Sequence, residues 1–150
     1  MATATLSQFR NEPITDFSQP ANRQAMEEAL KKVRSQLGRE YELLIGGERI
    51  RTAEKLRSYN PSRKSEVIGV FQKATPELAA RAVEKAYEHY LNWGYVPASE
   101  RAECLLRTAA ILRERKFQVA AWMVFEVAKS WAEADADVAE AIDFEGSMAA

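Results

Sequence analysis

Residues 41–50 read YELLIGGERI, two short runs joined by Gly46-Gly47. Tyr41 to Ile45 is the first run. Glu48 to Thr52 is the second, with Ile50 its apolar position. A Gly-Gly pair between two such runs predicts a hairpin, because the tightest hairpin turns need positive φ at both central residues. A phosphate loop is excluded here, since strands flank the pair and no lysine-hydroxyl pair follows it. Further on, Ser58-Tyr59-Asn60-Pro61 reads as a bend. Ser65 to Phe71, with Val67, Ile68 and Val70, reads as a third strand.

Helices are expected on both sides of these strands. Upstream, Met26, Ala29, Leu30, Val33 and Leu37 follow helical spacing, with Ser18 or Asn22 as caps and Gly38 at the stop. Residues 1–17 read as an extended arm with apolar anchors at Phe9, Ile14 and Phe17; Pro13 disfavours helix at Glu12. Downstream, Thr75-Pro76-Glu77 is a helix start: a capping hydroxyl, proline at the first position, then an acid. Ala79, Ala82, Val83, Ala86, Tyr87 and Tyr90 make one face of that helix. The next starts at Ser99-Glu100-Arg101, with Ala102, Leu105, Leu106, Ala109 and Leu112 on its buried side. Phe117, Ala120, Ala121, Val124 and Val127 mark another. The last begins near Trp131 and turns Val138, Ala141 and Ile142 inward. Strands first and helices later give an α+β piece, without a complete βαβ unit bearing a phosphate-binding glycine fingerprint.

Composition narrows the function classes. The chain has 150 residues, 47% hydrophobic and 29% charged, which fits a globular chain rather than a disordered one. A net charge of −1, with no basic stripe, gives no field for nucleic acid or an anionic membrane. One cysteine excludes an internal disulfide, and one cysteine with one histidine cannot build a common zinc site. No secretory leader and no membrane span are expected, and a cytoplasmic location is.

Few single residues point to chemistry. Cys104 sits in a helix beside an apolar row and reads as a half-buried thiol rather than a nucleophile. His89 reads as a rim residue without a partner. Trp93, Trp122 and Trp131 read as anchors of a helical core. The final helix is more informative. Glu133, Asp137 and Glu140 fall at i, i+4 and i+7, so they share a face with Phe144, while Asp135 and Asp143 add charge beside it. Aligned carboxylates repel one another, which costs helix stability. Three readings fit: a solvated acidic face, a hard-cation site short of ligands, or a carboxylate that faces a pocket and pairs with an ammonium group.

Several segments resemble L-glutamate γ-semialdehyde (1-pyrroline-5-carboxylate) dehydrogenases of the aldehyde dehydrogenase superfamily. They are FRNEP (Phe9 to Pro13), YELLIGGERI (Tyr41 to Ile50), YNPSRKSEVIG (Tyr59 to Gly69) and EADADVAEAIDF (Glu133 to Phe144). The hairpin and the Asn-Pro bend are common to many aldehyde dehydrogenases; the arm and the acidic helix point to this branch.

The resemblance implies an α+β fragment of an α/β aldehyde dehydrogenase fold. An arm at 1–17 precedes an incomplete N-terminal part of the NAD-binding domain at 18–150. It implies NAD-dependent oxidation of glutamate semialdehyde to glutamate in proline degradation, with downstream domains or a homo-oligomer as partners. The family's nucleophilic cysteine, general-base glutamate and NAD-binding glycines lie downstream, so no catalytic, cofactor-binding or metal residue is expected in this chain. The isolated chain is expected to be inactive.

One site residue carries over. Glu140 matches a family glutamate that lines the substrate pocket near the semialdehyde's amino group, and a carboxylate is a suitable partner for that ammonium. After Phe144 the sequence departs from the family pattern, and Gly146 and Ser147 are expected to weaken the helix. The other reading is a non-catalytic helical interaction or amino-acid-binding module derived from that family.

Overall fold

The structure, a computed structural model, describes residues 10–149; Phe9 and the rest of the arm's beginning lie outside the described residues. The order of elements is α1 (Pro20–Arg34), β1 (Arg39–Tyr41), β2 (Leu43–Ile45), β3 (Glu48–Ile50), β4 (Lys55–Asn60), β5 (Arg63–Gln72), α2 (Pro76–Trp93), α3 (Ala98–Glu114), α4 (Lys116–Val127) and α5 (Trp131–Ala149). The chain divides into two compact units. One takes in the chain up to Val33, Pro97–Val124 and the chain from Lys129 onward; the other takes in Arg34–Val96 and Phe125–Ala128.

The strand-bearing unit holds two sheets. β2 and β3 form the expected antiparallel hairpin, with Leu43 opposite Ile50 and Ile45 opposite Glu48. Gly46 and Gly47 have φ of 57° and 86°, the left-handed geometry that a two-residue hairpin turn requires. The run Tyr41 to Ile45 is not one strand, however. It breaks at Glu42, so that β1 joins a separate sheet of order β1-β5-β4. There β1 runs parallel to β5, with Tyr41 opposite Phe71, and the two rings stack at 5.3 Å. Gly69 lies under them: a Cβ there would come within 2.9 Å of the Phe71 ring and 3.2 Å of the Tyr41 ring.

The third expected strand is longer than its apolar core, and its partner β4 corrects the bend read at Ser58 to Pro61. The chain stays extended through Asn60 and turns only afterwards. Asn60 closes the turn: its Oδ1 accepts the Ser62 N–H at 2.9 Å and its Nδ2 donates to Glu66 at 2.7 Å. β4 was hard to read because four of its six positions, Lys55 to Arg57 and Tyr59, are exposed, so no apolar alternation marks it.

α2 begins at the Thr75 cap, whose side chain accepts the Leu78 N–H, with Pro76 at the first position. None of its residues is buried; Val83, Tyr87 and Tyr90 are each more than 60% exposed. The apolar face read from the sequence therefore exists as a pattern but is uncovered.

In the helical unit, Met26 and Val33 of α1, Ala109 of α3, Ala120 and Ala121 of α4, and Ala134, Val138, Ala139 and Ile142 of α5 are buried. Alanines at so many of these positions let the helices approach closely. Leu106, placed on the buried side of α3 by spacing, is 39% exposed. α1 stops at Arg34 rather than Leu37, and neither Ser18 nor Asn22 serves as its cap. Asp16 does the organising: its carboxylate accepts the Ser18 N–H at 2.9 Å, and its carbonyl accepts Asn22 Nδ2 at 2.9 Å. α5 runs on through Gly146 and Ser147. Ala149 is buried, and Ser147 Oγ donates back to the Phe144 carbonyl at 3.1 Å, so tertiary packing outweighs the low intrinsic propensity there.

Candidate functional site

α5 carries the acidic residues, and its start is fixed by a reciprocal cap. The Ser130 N–H and hydroxyl both donate to Glu133 Oε2, at 2.9 and 2.7 Å, while Ser130 Oγ accepts the Glu133 N–H at 3.3 Å. These bonds, the backbone one first, hold the Glu133 carboxyl below its ordinary range.

Beyond the cap the carboxylates diverge in role. Asp135 is fully buried, not part of a solvated face. Its two oxygens accept the Thr15 N–H at 2.7 Å and the Thr15 hydroxyl at 2.6 Å, and Lys116 Nζ stands 3.0 Å away. Lys116 also donates to the Pro13 carbonyl at 2.9 Å. Asp143, two turns on, accepts the Glu12 N–H at 2.6 Å and Asn11 Nδ2 at 2.9 Å. Glu12 in turn pairs with Arg113 of α3 at 2.7 Å. The arm thus lies along α5, held largely by polar groups. Of its apolar anchors, Phe17 packs edge-on to Phe117 and Trp131, whereas Ile14 is 61% exposed.

Arm and helix enclose a groove of about 680 Å3. Asn11, Glu12 and Ile14 form one wall; Asp137, Glu140, Asp143 and Phe144 are on the other. On the Glu133–Asp137–Glu140 face, Glu133 is occupied by Ser130 and Asp137 is paired with Lys129. Glu140 is the member of that face with no hydrogen-bond or ion-pair partner among the described residues, and it is exposed to the groove. The repulsion expected among three aligned carboxylates is therefore relieved locally for two of them. Glu140 is left able to accept hydrogen bonds from a cationic ligand, between exposed apolar side chains of Ile14 and Phe144.

None of the other candidates is among the residues that line this groove. Cys104 is half-buried in α3, with Arg107 Nη2 3.4 Å from its sulfur. His89 stacks on Trp93 at 5.6 Å on α2. Trp122 and Trp131 are partly buried, as helix-packing anchors would be. The turn from β5 into α2, residues 73–75, is Lys-Ala-Thr and holds no glycine. The Asp135–Thr15–Lys116 network escaped sequence reasoning because its members lie up to 120 positions apart. Charge at Asp135 was visible, but nothing local marked it as buried.

The fold has counterparts among known proteins. The model of the aldehyde dehydrogenase family matches residues 49–150, and the chain belongs to that family. Within it, the chain is similar to the 1-pyrroline-5-carboxylate dehydrogenase of Geobacillus kaustophilus, with 53% identity over 136 residues, 91% of this chain and 26% of that protein. It is likewise similar to 1-pyrroline-5-carboxylate dehydrogenase 1 of Halalkalibacterium halodurans, with 49% identity over 93% of this chain and 27% of that protein. Among solved structures, the 1-pyrroline-5-carboxylate dehydrogenase from Thermus with bound NAD superposes with a TM-score of 0.91. That match has 47% identity and covers 95% of this chain and 28% of that one. The chain spans about a quarter of the length of the curated relatives it matches. The α+β architecture expected from the sequence is the one these structures share.

Proposed function

We propose that this chain is the N-terminal part of an NAD-dependent dehydrogenase that oxidises L-glutamate γ-semialdehyde to L-glutamate, the closing step of proline degradation. The observation that carries the reading is Glu140. It is a carboxylate without a partner among the described residues, exposed to a groove that Ile14 and Phe144 also line. By the family resemblance it corresponds to a glutamate near the substrate's amino group. In this role its carboxylate accepts hydrogen bonds from the substrate's ammonium and orients the amino acid end, leaving the aldehyde to groups supplied elsewhere in the polypeptide.

The relatives' names and extent support this reading. They are 1-pyrroline-5-carboxylate dehydrogenases about four times the length covered here, and one solved relative holds NAD. Nucleotide binding, the nucleophile and the general base are assigned to the downstream polypeptide, in line with the glycine-free β5–α2 turn. NAD supplies the hydride acceptor there. The uncovered apolar face of α2 fits a chain that packs against further polypeptide, either downstream domains or another subunit. No helix among the described residues is long and apolar enough to cross a membrane, and the proposed location is the cytoplasm. The domain reading is likewise a proposal: an arm at 1–17, then an incomplete nucleotide-binding domain at 18–150.

The experiment is steady-state kinetics of Glu140→Ala in this chain joined to the downstream three quarters of a relative. Glutamate semialdehyde is compared with aldehydes that lack the amino group.

A further inference from the structure

The arm is tied to α5 by more than chance contact. Two carboxylates about two helical turns apart, Asp135 and Asp143, each accept a backbone N–H from it, at Thr15 and Glu12. Those two amides have no strand or helix partner, since residues 10–16 have no regular secondary structure. A carboxylate accepting a backbone N–H makes a stronger bond than a neutral acceptor would. Between those two amides the arm has no apolar burial to hold it: Ile14 projects out of the core into the groove, and the packed Phe17 lies further along.

We propose that Asp143 is a positioning residue. By holding Glu12 and Asn11 it sets the wall that faces Glu140, and so fixes the groove's width for the ammonium end of the ligand. The inference deepens the reading of Glu140 as an ammonium partner and rests on it for its functional consequence. Asp135 with Lys116 anchors the arm one step further along, inside the core. Asp143 is only half-buried and acts at the groove itself, so it can be changed without opening the buried ion pair.

The full chain gives the first test, by amide hydrogen exchange. Asp143→Ala is expected to speed exchange at Glu12 by at least about tenfold, the order of one charge-assisted hydrogen bond. Val138 and Ile142 in the same helix should keep their protection. Asp143→Asn retains shape and one acceptor oxygen and should restore part of the protection. Unchanged exchange at Glu12 in Asp143→Ala overturns the proposal, as does a loss of protection that spreads equally through α5 in both variants.

The same substitution in the chain joined to the downstream part of a relative gives the functional test. KM for glutamate semialdehyde should rise while kcat is kept. If KM stays put although Glu140→Ala raises it, the positioning role is overturned and the Glu140 reading stands. If Glu140→Ala also leaves kcat/KM for glutamate semialdehyde unchanged, the Glu140 reading falls, and faster exchange at Glu12 still upholds Asp143 as what holds the groove wall.

Discussion

The Asp135 carboxylate lies 3.0 Å from the Lys116 ammonium, with side chains 0% and 9% exposed. Such a pair is kept only where other hydrogen bonds complete it, because desolvating two charges costs several kcal/mol. Thr15 and the Pro13 carbonyl complete it here. Removing one partner leaves the other charge buried and uncompensated. Asp135→Ala should therefore destabilise the helical unit by about 3–5 kcal/mol. Asp137→Ala breaks a partly exposed pair with Lys129 and should cost less than about 1 kcal/mol. Urea unfolding of both variants checks the contrast, and equal losses would show that the buried network carries no special weight.

How much of this was legible beforehand depends on the range over which each feature is encoded. The hairpin at Gly46-Gly47 and the Thr75 cap are written into adjacent residues, and both were read correctly. β4 was missed because its stability comes from pairing with β5 rather than from an apolar face of its own. α1 was read three residues too long: it ends at Arg34, and Gly38, placed at its stop, donates its N–H to the distant Ile68 carbonyl at 3.0 Å rather than to the helix. In the site, helical spacing put Glu133, Asp137 and Glu140 on one face, but their partners decide their roles. Ser130 and Lys129 are near in sequence and could have been weighed as partners. The arm's bonds to Asp135 and Asp143 span more than a hundred residues and carry no local signature.

Acid should weaken the α5 cap. Ser130 bonds hold Glu133 below its ordinary value of 4.5 in the folded chain. A carboxyl with a depressed folded pKa binds more protons when unfolded. Its contribution is thus fully present above about pH 4.5 and is lost as pH falls through the folded value. Unfolding midpoints of the parent chain and Glu133→Gln, measured from pH 7 down to pH 3, should differ by a constant amount at the upper end and converge below 4.5. A difference that does not change with pH would contradict the assignment.

Gly69 leaves room for the stacked rings, and its backbone angles do not call for glycine. A methyl group there meets the Phe71 ring at 2.9 Å and the Tyr41 ring at 3.2 Å. Gly69→Ala should push the stacked pair apart, and because both rings are 36% exposed and meet the methyl with their outer edges the cost should stay below about 1 kcal/mol. Thermal unfolding read by near-ultraviolet circular dichroism should show a lower midpoint together with an altered tyrosine signal. An unchanged midpoint would mean that the rings yield freely.

The chain by itself should not oxidise aldehydes. Cys104 is half-buried in α3 with no histidine beside it, and the β5–α2 turn has no glycine for a dinucleotide. With glutamate semialdehyde and NAD, absorbance at the reduced-nicotinamide band should stay at background. Turnover that disappears in Cys104→Ala would overturn the assignment of the chemistry to downstream polypeptide.

The central claim is that Glu140 holds the ammonium of an amino acid aldehyde, and steady-state kinetics tests it most directly. In the chain joined to the downstream three quarters of a relative, Glu140→Ala removes one charge-assisted hydrogen bond, worth roughly 1.5–3 kcal/mol. The loss in kcat/KM for glutamate semialdehyde should be about 10- to 150-fold. Simple aldehydes without the amino group should lose little, and Asp137→Ala should leave both substrates nearly unaffected. Equal losses for aminated and plain aldehydes in Glu140→Ala would show that Glu140 serves the fold alone and would contradict the account.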